Sequence, residues 1–453
     1  MSKAITRLQA IIVAVIIIVA VIGGGVWYWY SIEMAKPKIE IKLGVIFPVS
    51  GAMAPLGVEE DFGVKTAIEL INEQGGVLGK YPIHYVAADS KSDPAVGASE
   101  AERLITVEGV QVIVGHYSSA ICMAVSEVCE RYGVVDWSVG EVADKITQRG
   151  FKYMVRAQTP AGAFGMIAGD FTYEVVAPKL GIEPKDLKVA ILHEDGPYGT
   201  SCAASNKIYA EKYGFQIVHL EGYSHLATDL SSLILKVKAA EPDVLWMTSY
   251  VSDAILFLKQ AKELGFKVKV FIGHGGGHGV PATAEAIGDD INYIFNIDPG
   301  TSPLAIDWGA STPEARALTD EFVKRYRAEF GRDPLTHAGM AFAHVMPLLT
   351  DVLPRAIEKY GSADADAVRK AAEEIDIPDG AIPSATHGFK LQPGVGVDWE
   401  APWGLKYNGG QNIRARTVMY QWFEKTLYCV YPKEFALKDP VVPLPPESPY
   451  AAS

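Results

Sequence analysis

The sequence predicts an α/β protein in which two βα series follow one another behind an apolar N-terminal helix. Three observations carry this. From Ile39 onward, short β-branched runs alternate with amphipathic helical segments, the pattern of parallel sheets covered by helices. The chain has 453 residues, too many for one ordinary domain. It is 49% hydrophobic and 21% charged, so it can build full cores.

The first element is apolar. Ile11 to Ile22 is unbroken, and with Leu8 and Gly23-Gly24-Gly25-Val26 it reaches about twenty residues, enough to span a bilayer. Lys3 and Arg7 before it place the N-terminus in the cytoplasm, and Trp27-Tyr28-Trp29-Tyr30 suits the outer interface. An uncleaved anchor is the expectation, with a cleaved secretory signal as the alternative. No lipobox-like cysteine follows. Either way, the chain after Lys36 lies outside the membrane, on the extracellular or periplasmic face.

Ile41 to Phe47 reads as the first strand. The loop from Pro48 to Gly57 leads to a helix begun by Glu59, Glu60 and Asp61, acids that complement its dipole. Val64, Ile68 and Ile71 mark its buried face. Gly75 to Gly79 turns the chain into a second strand, Ile83 to Ala87, and Asp93 with Pro94 opens the next helix. The third strand is Val112 to Val114, ended by Gly115. After it, Ile121, Val125, Val128, Cys129 and Tyr132 line one helix face. Ser118 and Ser119 therefore stand at a helix start, among unpaired N–H groups that favour a carboxylate or a simple serine cap. A fourth strand runs near Val134 to Trp137.

The second series has strands at Val189 to His193, Phe215 to Leu220, Val244 to Met247 and Val268 to Ile272. Loops at their C-terminal ends, where open α/β sheets bind ligands, include Glu194 to Gly199 and Gly273 to Gly279. Helices follow over Pro313–Tyr326 and Ala338–Tyr360, and a last strand over Thr417 to Lys425. Residues 432–453 hold six prolines and read as an extended tail.

Charge and motifs exclude several functions. Net charge is −13; Lys3, Arg7 and Lys36 against Glu33 make residues 1–37 +2, leaving −15 for the rest, a body that repels nucleic acid. Cys122 and Cys129, about 10 Å apart on a helix, are too distant for a disulfide. With Cys202 and Cys429 they read as buried small hydrophobes, and no metal spacing includes them. There is no complete phosphate loop, dinucleotide fingerprint or nucleophile elbow. His274 and His278 are separated by three glycines that oppose a metal-binding helix. No enzyme, cofactor or metal is expected.

Gly44-Val45-Ile46-Phe47-Pro48-Val49-Ser50-Gly51, Gly57, Gly63 and Ile71 to Gly79 resemble the N-terminal signature of type I periplasmic binding proteins, in the Leu/Ile/Val-binding branch of ABC importers. Asp89 with Asp93-Pro94, Gly115 to Ser119, Thr147 to Phe151 with Arg156, Tyr198-Gly199 and Thr228 to Ser231 follow in the family's order. The resemblance implies two Rossmann-like lobes joined by three crossovers: 38–156 with 297–386, and 157–296 with 387–431. It implies a small ligand between them and an ABC permease as partner; membrane attachment is the expectation from the apolar N-terminal run. A sensor ectodomain is the alternative. By the same resemblance Ser119, beside Ser118, holds the ligand carboxylate, Gly140 offers a carbonyl, and Tyr198 and Tyr250 cover the ligand. The chain departs from the pattern at three places: Val142 replaces a hydroxyl, Leu56 an aromatic, and Gly275, beside His274, the acid that pairs with the ligand ammonium. A buried ammonium needs a countercharge, so either Glu141 supplies it or the ligand is an amide or organic acid.

Overall fold

The computed structural model describes residues 7–35 and 39–452, which divide into two units, Met1–Glu40 and Ile41–Ser453. The first unit is helix α1, Arg7–Ala35, in which the side chains of residues 12 and 14–28 are described and exposed. Lys3, and the side chains of Trp29 and Tyr30, lie outside the described residues. Among the described residues, no helix is long and apolar enough to cross a membrane.

The second unit has two α/β layers. In the first run β1 (Ile41–Phe47), α2 (Ala54–Glu73), β2 (Ile83–Asp89), α3 (Pro94–Arg103), β3 (Val112–Gly115), α4 (Ser119–Tyr132), β4 (Val135–Ser138) and β5 (Met154–Arg156). Their strands form a parallel sheet in the order β2-β1-β3-β4-β5. Asp93 caps α3 as expected, accepting from the amides of Ala95 and Val96. Helix α2 starts at Ala54, earlier than expected, with Pro55 in its first turn. Glu59 and Glu60 therefore sit a turn inside the helix, and Glu60 is fully buried.

The chain then enters the second layer through α5 (Ala161–Phe171) and α6 (Ala177–Leu180). There follow β6 (Lys188–Glu194), α7 (Pro197–Tyr213), β7 (Gln216–Tyr223), α8 (Ser231–Ala239), β8 (Val244–Thr248), α9 (Val251–Glu263), β9 (Val270–His274), α10 (Pro281–Ile287) and β10 (Phe295–Pro299). β10 was not anticipated, and it places residues 297–299 in the second sheet rather than the first lobe. Helices α11 (Pro313–Phe330) and α12 (Thr336–Pro347) return to pack on α2. Helix α13 (Leu353–Tyr360) continues α12, and α14 (Ala365–Glu374) reaches β4.

A short hairpin, β11 (Trp399–Glu400) and β12 (Lys406–Tyr407), precedes β13 (Thr417–Phe423) and β14 (Thr426–Tyr431). The expected single strand Thr417 to Lys425 is thus a hairpin. Its turn at Glu424 and Lys425 has positive φ, a feature without glycine to announce it. The second sheet runs β14-β13-β10-β9-β8-β6-β7. The tail also differs from expectation: Leu444 and Tyr450 are buried in this layer's core, and the amide of Val268 donates to the Tyr450 carbonyl at 2.9 Å. Proline removes donors without preventing burial of the apolar residues between them.

The chain passes between the layers three times, after Arg156, after Pro299 and before Thr417. Arg156 ties the first of these passages to the third. It is fully buried, and its Nε, Nη1 and Nη2 donate to Gln411 Oε1, the Ala143 carbonyl and Thr147 Oγ1, each at 2.7 Å. Nearby, Trp403 Nε1 donates to Tyr407 Oη at 2.8 Å, which donates to Asp144 Oδ1 at 2.6 Å.

Candidate functional site

The C-terminal ends of β3 and β4 face those of β8, β9 and β10, and the two layers close on a small cavity of about 20 Å³. The first layer supplies Tyr117, Ser119, Gly140 and Val142, and the second supplies Phe164, Tyr198, Tyr250, Gly275, Gly276 and Asp298; Gln158 and His337 complete the lining. The layers touch around it: Ser118 Oγ lies 3.3 Å from Tyr250 Oη, and the Asp144 amide donates to Ser201 Oγ at 3.0 Å.

Of the expected residues, Ser119, Gly140, Val142, Tyr198, Tyr250 and Gly275 line the cavity together. Ser118 precedes α4 but makes no side-chain cap bond. Ser119 Oγ accepts from the Ala143 amide at 3.2 Å, which leaves its proton to donate. With the first-turn amides of α4, that hydroxyl makes an anion-favouring end.

Four expectations fail in detail. Ser118 stands behind the lining, bonded to Tyr250. Leu56 is core, 1% exposed, because the early start of α2 turns it inward. His274 is buried with its side chain turned away from the cavity, Nε2 lying 3.1 Å from Asn206 Oδ1. Burial drops its pKa to about 3, so it is neutral, and only its carbonyl reaches the site by accepting from Tyr198 Oη at 2.8 Å. Glu141 also points away: its carboxyl takes the His116 amide, the Ser138 hydroxyl and, at 3.3 Å, the Gly140 amide. Burial pushes its pKa up to about 8 against the pull of His116 and Ser138. It is a structural acid and no countercharge for a ligand.

The charged groups at the cavity are others. His337 Nδ1 lies 3.1 Å from Glu60 Oε1, and its Nε2 lies 3.8 Å from Asp298 Oδ2. Burial disfavours charge on His337, but Asp298 and Glu60 outweigh it and push the pKa up to about 8. Asp298 Oδ2 also accepts from Thr336 Oγ1 at 2.7 Å and Asn296 Nδ2 at 3.0 Å. These residues were missed for identifiable reasons. Glu60 falls four residues before Val64, on the buried helix face, so a core position was legible there. Asp298 sits at the end of the unread strand β10, and His337 at the start of α12.

Aromatic rings form the remaining walls. Tyr117 and Tyr250 meet edge to face at 5.9 Å, and Tyr198 and Tyr250 meet tilted at 5.4 Å. Burial keeps all three phenols protonated. The glycines opposite make room for their hydroxyls. A Cβ on Gly275 would lie 2.8 Å from Tyr198 Oη, and one on Gly276 2.8 Å from Tyr117 Oη; Gly275 also has φ +44°.

Two clusters of potential metal ligands exist among the described residues, His116–Cys122–Asp136 and Glu194–Asp195–His225, and neither includes His274 or His278. Both are already engaged. His116 Nε2 pairs with Asp136 Oδ1 at 2.7 Å, and Glu194 accepts from the amides of Gly196 and Gly199 at the start of α7. The four cysteines are buried and unpaired.

The sequence and the fold both match known proteins. A family described as periplasmic binding protein matches residues 40–397. The Leu/Ile/Val-binding protein homolog 7 of Brucella abortus is 35% identical over 407 residues, covering 89% of this chain and 94% of its own. A Streptococcus pneumoniae branched-chain amino acid transporter substrate-binding protein, solved with isoleucine, has TM-score 0.68 at 21% identity, covering 87% of this chain and all of its own. A Rhodopseudomonas palustris ABC-transporter solute-binding protein, solved with benzoate, has TM-score 0.63 at 18% identity, covering 86% and 95%. With two α/β layers closed on one cavity and relatives of this kind across most of its length, the chain belongs to the periplasmic binding protein family and is a substrate-binding protein, not an enzyme.

Proposed function

We propose that the chain is the extracytoplasmic receptor of an ABC importer and captures a branched-chain amino acid by closing its two layers around it. The observation that carries this reading is the cavity walled from both sheets, with an anion-favouring helix start at Ser119 and apolar or aromatic surface at Val142, Phe164 and Tyr250. The name of the Brucella relative supports the same ligand class. The closing bodies follow the two sheets, with the second passage after Pro299. The closed form is what a permease recognises. Helix α1, whose described Ile16, Val19 and Trp27 are 60%, 64% and 71% exposed, tethers the protein to the membrane. An aromatic carboxylic acid is the second reading, favoured by the four rings Tyr117, Phe164, Tyr198 and Tyr250 around one cavity.

A melting screen of the full-length chain against leucine, isoleucine, valine, acetamide and benzoate tests this. A ligand at a hundred times its Kd stabilises by about 2.7 kcal/mol. Leucine, isoleucine or valine should raise the Tm, and a rise with benzoate alone would replace the first reading by the second.

A further inference from the structure

The cavity has an electrostatic asymmetry that the Ser119 end does not explain. In and behind its lining, three buried polar atoms have no hydrogen-bond partner: Tyr117 Oη, His337 Nε2 and Glu60 Oε2. Such atoms are costly unless a bound molecule completes them. Glu60 and His337 already form a close pair at 3.1 Å, which leaves Asp298 as the surplus carboxylate at the cavity surface. Both side-chain bonds to Asp298 end on Oδ2, so Oδ1 is the atom left for a ligand. Of the other acids on α2, Glu59 is the one that acts on His337, and it is paired with Arg332 at 2.6 Å.

We propose that Asp298, held in place by the Glu60–His337 pair, is the countercharge for the ammonium group of the bound amino acid. This rests on the amino-acid reading above and deepens it. Burial works against charge on both Glu60 and Asp298, and an ammonium beside them would add the second cation that offsets this cost. Ser119 and Asp298, both in the lining, then take the two charged groups on the ligand's α-carbon, and the rings are left for its side chain. Asp298 does the work that Gly275 has no side chain to do and that Glu141 faces the wrong way to do. Gly140 is part of the arrangement, since a Cβ there would lie 2.8 Å from Glu60 Oε2.

The test is calorimetric titration of the full-length chain and its Asp298→Asn variant with two probes, L-leucine and 4-methylpentanoate, which is leucine without its ammonium. The wild type should prefer leucine by roughly 30-fold or more, and Asp298→Asn should lose leucine affinity by a similar factor while its weak binding of 4-methylpentanoate stays the same. Equal wild-type affinity for both probes, or a variant that binds leucine like the wild type, overturns the assignment while leaving the amino-acid reading intact. Binding of neither probe refutes both. Should Asp298→Asn fail to show a cooperative melt, the wild-type comparison of the two probes decides alone.

Discussion

Gly276 and Tyr117 come from different layers and meet only because the layers are closed, so substituting the glycine measures closure itself. An alanine Cβ at 276 would lie 2.8 Å from Tyr117 Oη, about 0.6 Å inside the 3.4 Å at which ordinary contact begins. Tyr117 has little room to yield: it is 6% exposed, with Tyr250 at 5.9 Å and His337 at 6.1 Å from its ring. Overpacking of this kind costs about 1–3 kcal/mol. Because the clash exists only in the closed arrangement, that cost falls on binding and weakens affinity by about 5- to 150-fold. Calorimetry of Gly276→Ala with the solute selected by the melting screen reads the loss, and the melt without ligand should hardly move. Adding Tyr117→Phe removes the clashing oxygen and should cost less in the Gly276→Ala background than in the wild type, a coupling that a double-mutant cycle isolates. Unchanged affinity in Gly276→Ala, or additive effects of Gly276→Ala and Tyr117→Phe, would refute the reasoning.

Three further outcomes are expected. Arg156→Met leaves the Gln411, Ala143 and Thr147 oxygens without their buried donor and should lower unfolding stability by about 3 kcal/mol, read by urea titration. Glu141 and Asp253 both have pKa values raised by burial to about 8, from ordinary values of 4.5 and 3.8. Their folded forms keep protons that the unfolded chain releases, so stability should fall as pH rises from about 4 to 8 and level off above. Glu141→Gln should flatten part of that slope in melts at several pH values, and should leave ligand affinity within about twofold because the carboxyl faces away from the cavity. Tyr250→Phe removes the hydroxyl 3.3 Å from Ser118 Oγ and should weaken ligand binding by about 1 kcal/mol, seen as a roughly fivefold rise in Kd.

Much of the architecture was legible because periodicity reports burial directly. The strands from Val112, Val189 and Val244, and β1 from Leu43 on, open on continuous apolar runs of the kind buried parallel strands require. The misses have equally local causes. β10, Phe295–Pro299, alternates with Asn296 and Asp298, polar residues that are buried but hydrogen-bonded to each other, so its pattern imitates a surface. The β13–β14 turn lacks glycine, and the tail's prolines masked two anchoring residues, Leu444 and Tyr450. In the site, residues at strand ends and helix starts were readable from loop position, which explains Ser119, Tyr198 and Tyr250. Side-chain direction was not readable: Glu141 and Val142 are adjacent, yet only Val142 lines the cavity. Glu60, Asp298 and His337 are 238 and 39 positions apart in sequence, and only the packing of α2, β10 and α12 brings them together.

The most direct measurement is a crystal structure of the full-length chain grown with L-leucine. The ligand should lie between the two sheets, its carboxylate on Ser119 and the first-turn amides of α4, and its ammonium on Asp298. Leucine bound anywhere else, or a cavity that stays empty at saturating leucine, would contradict the account.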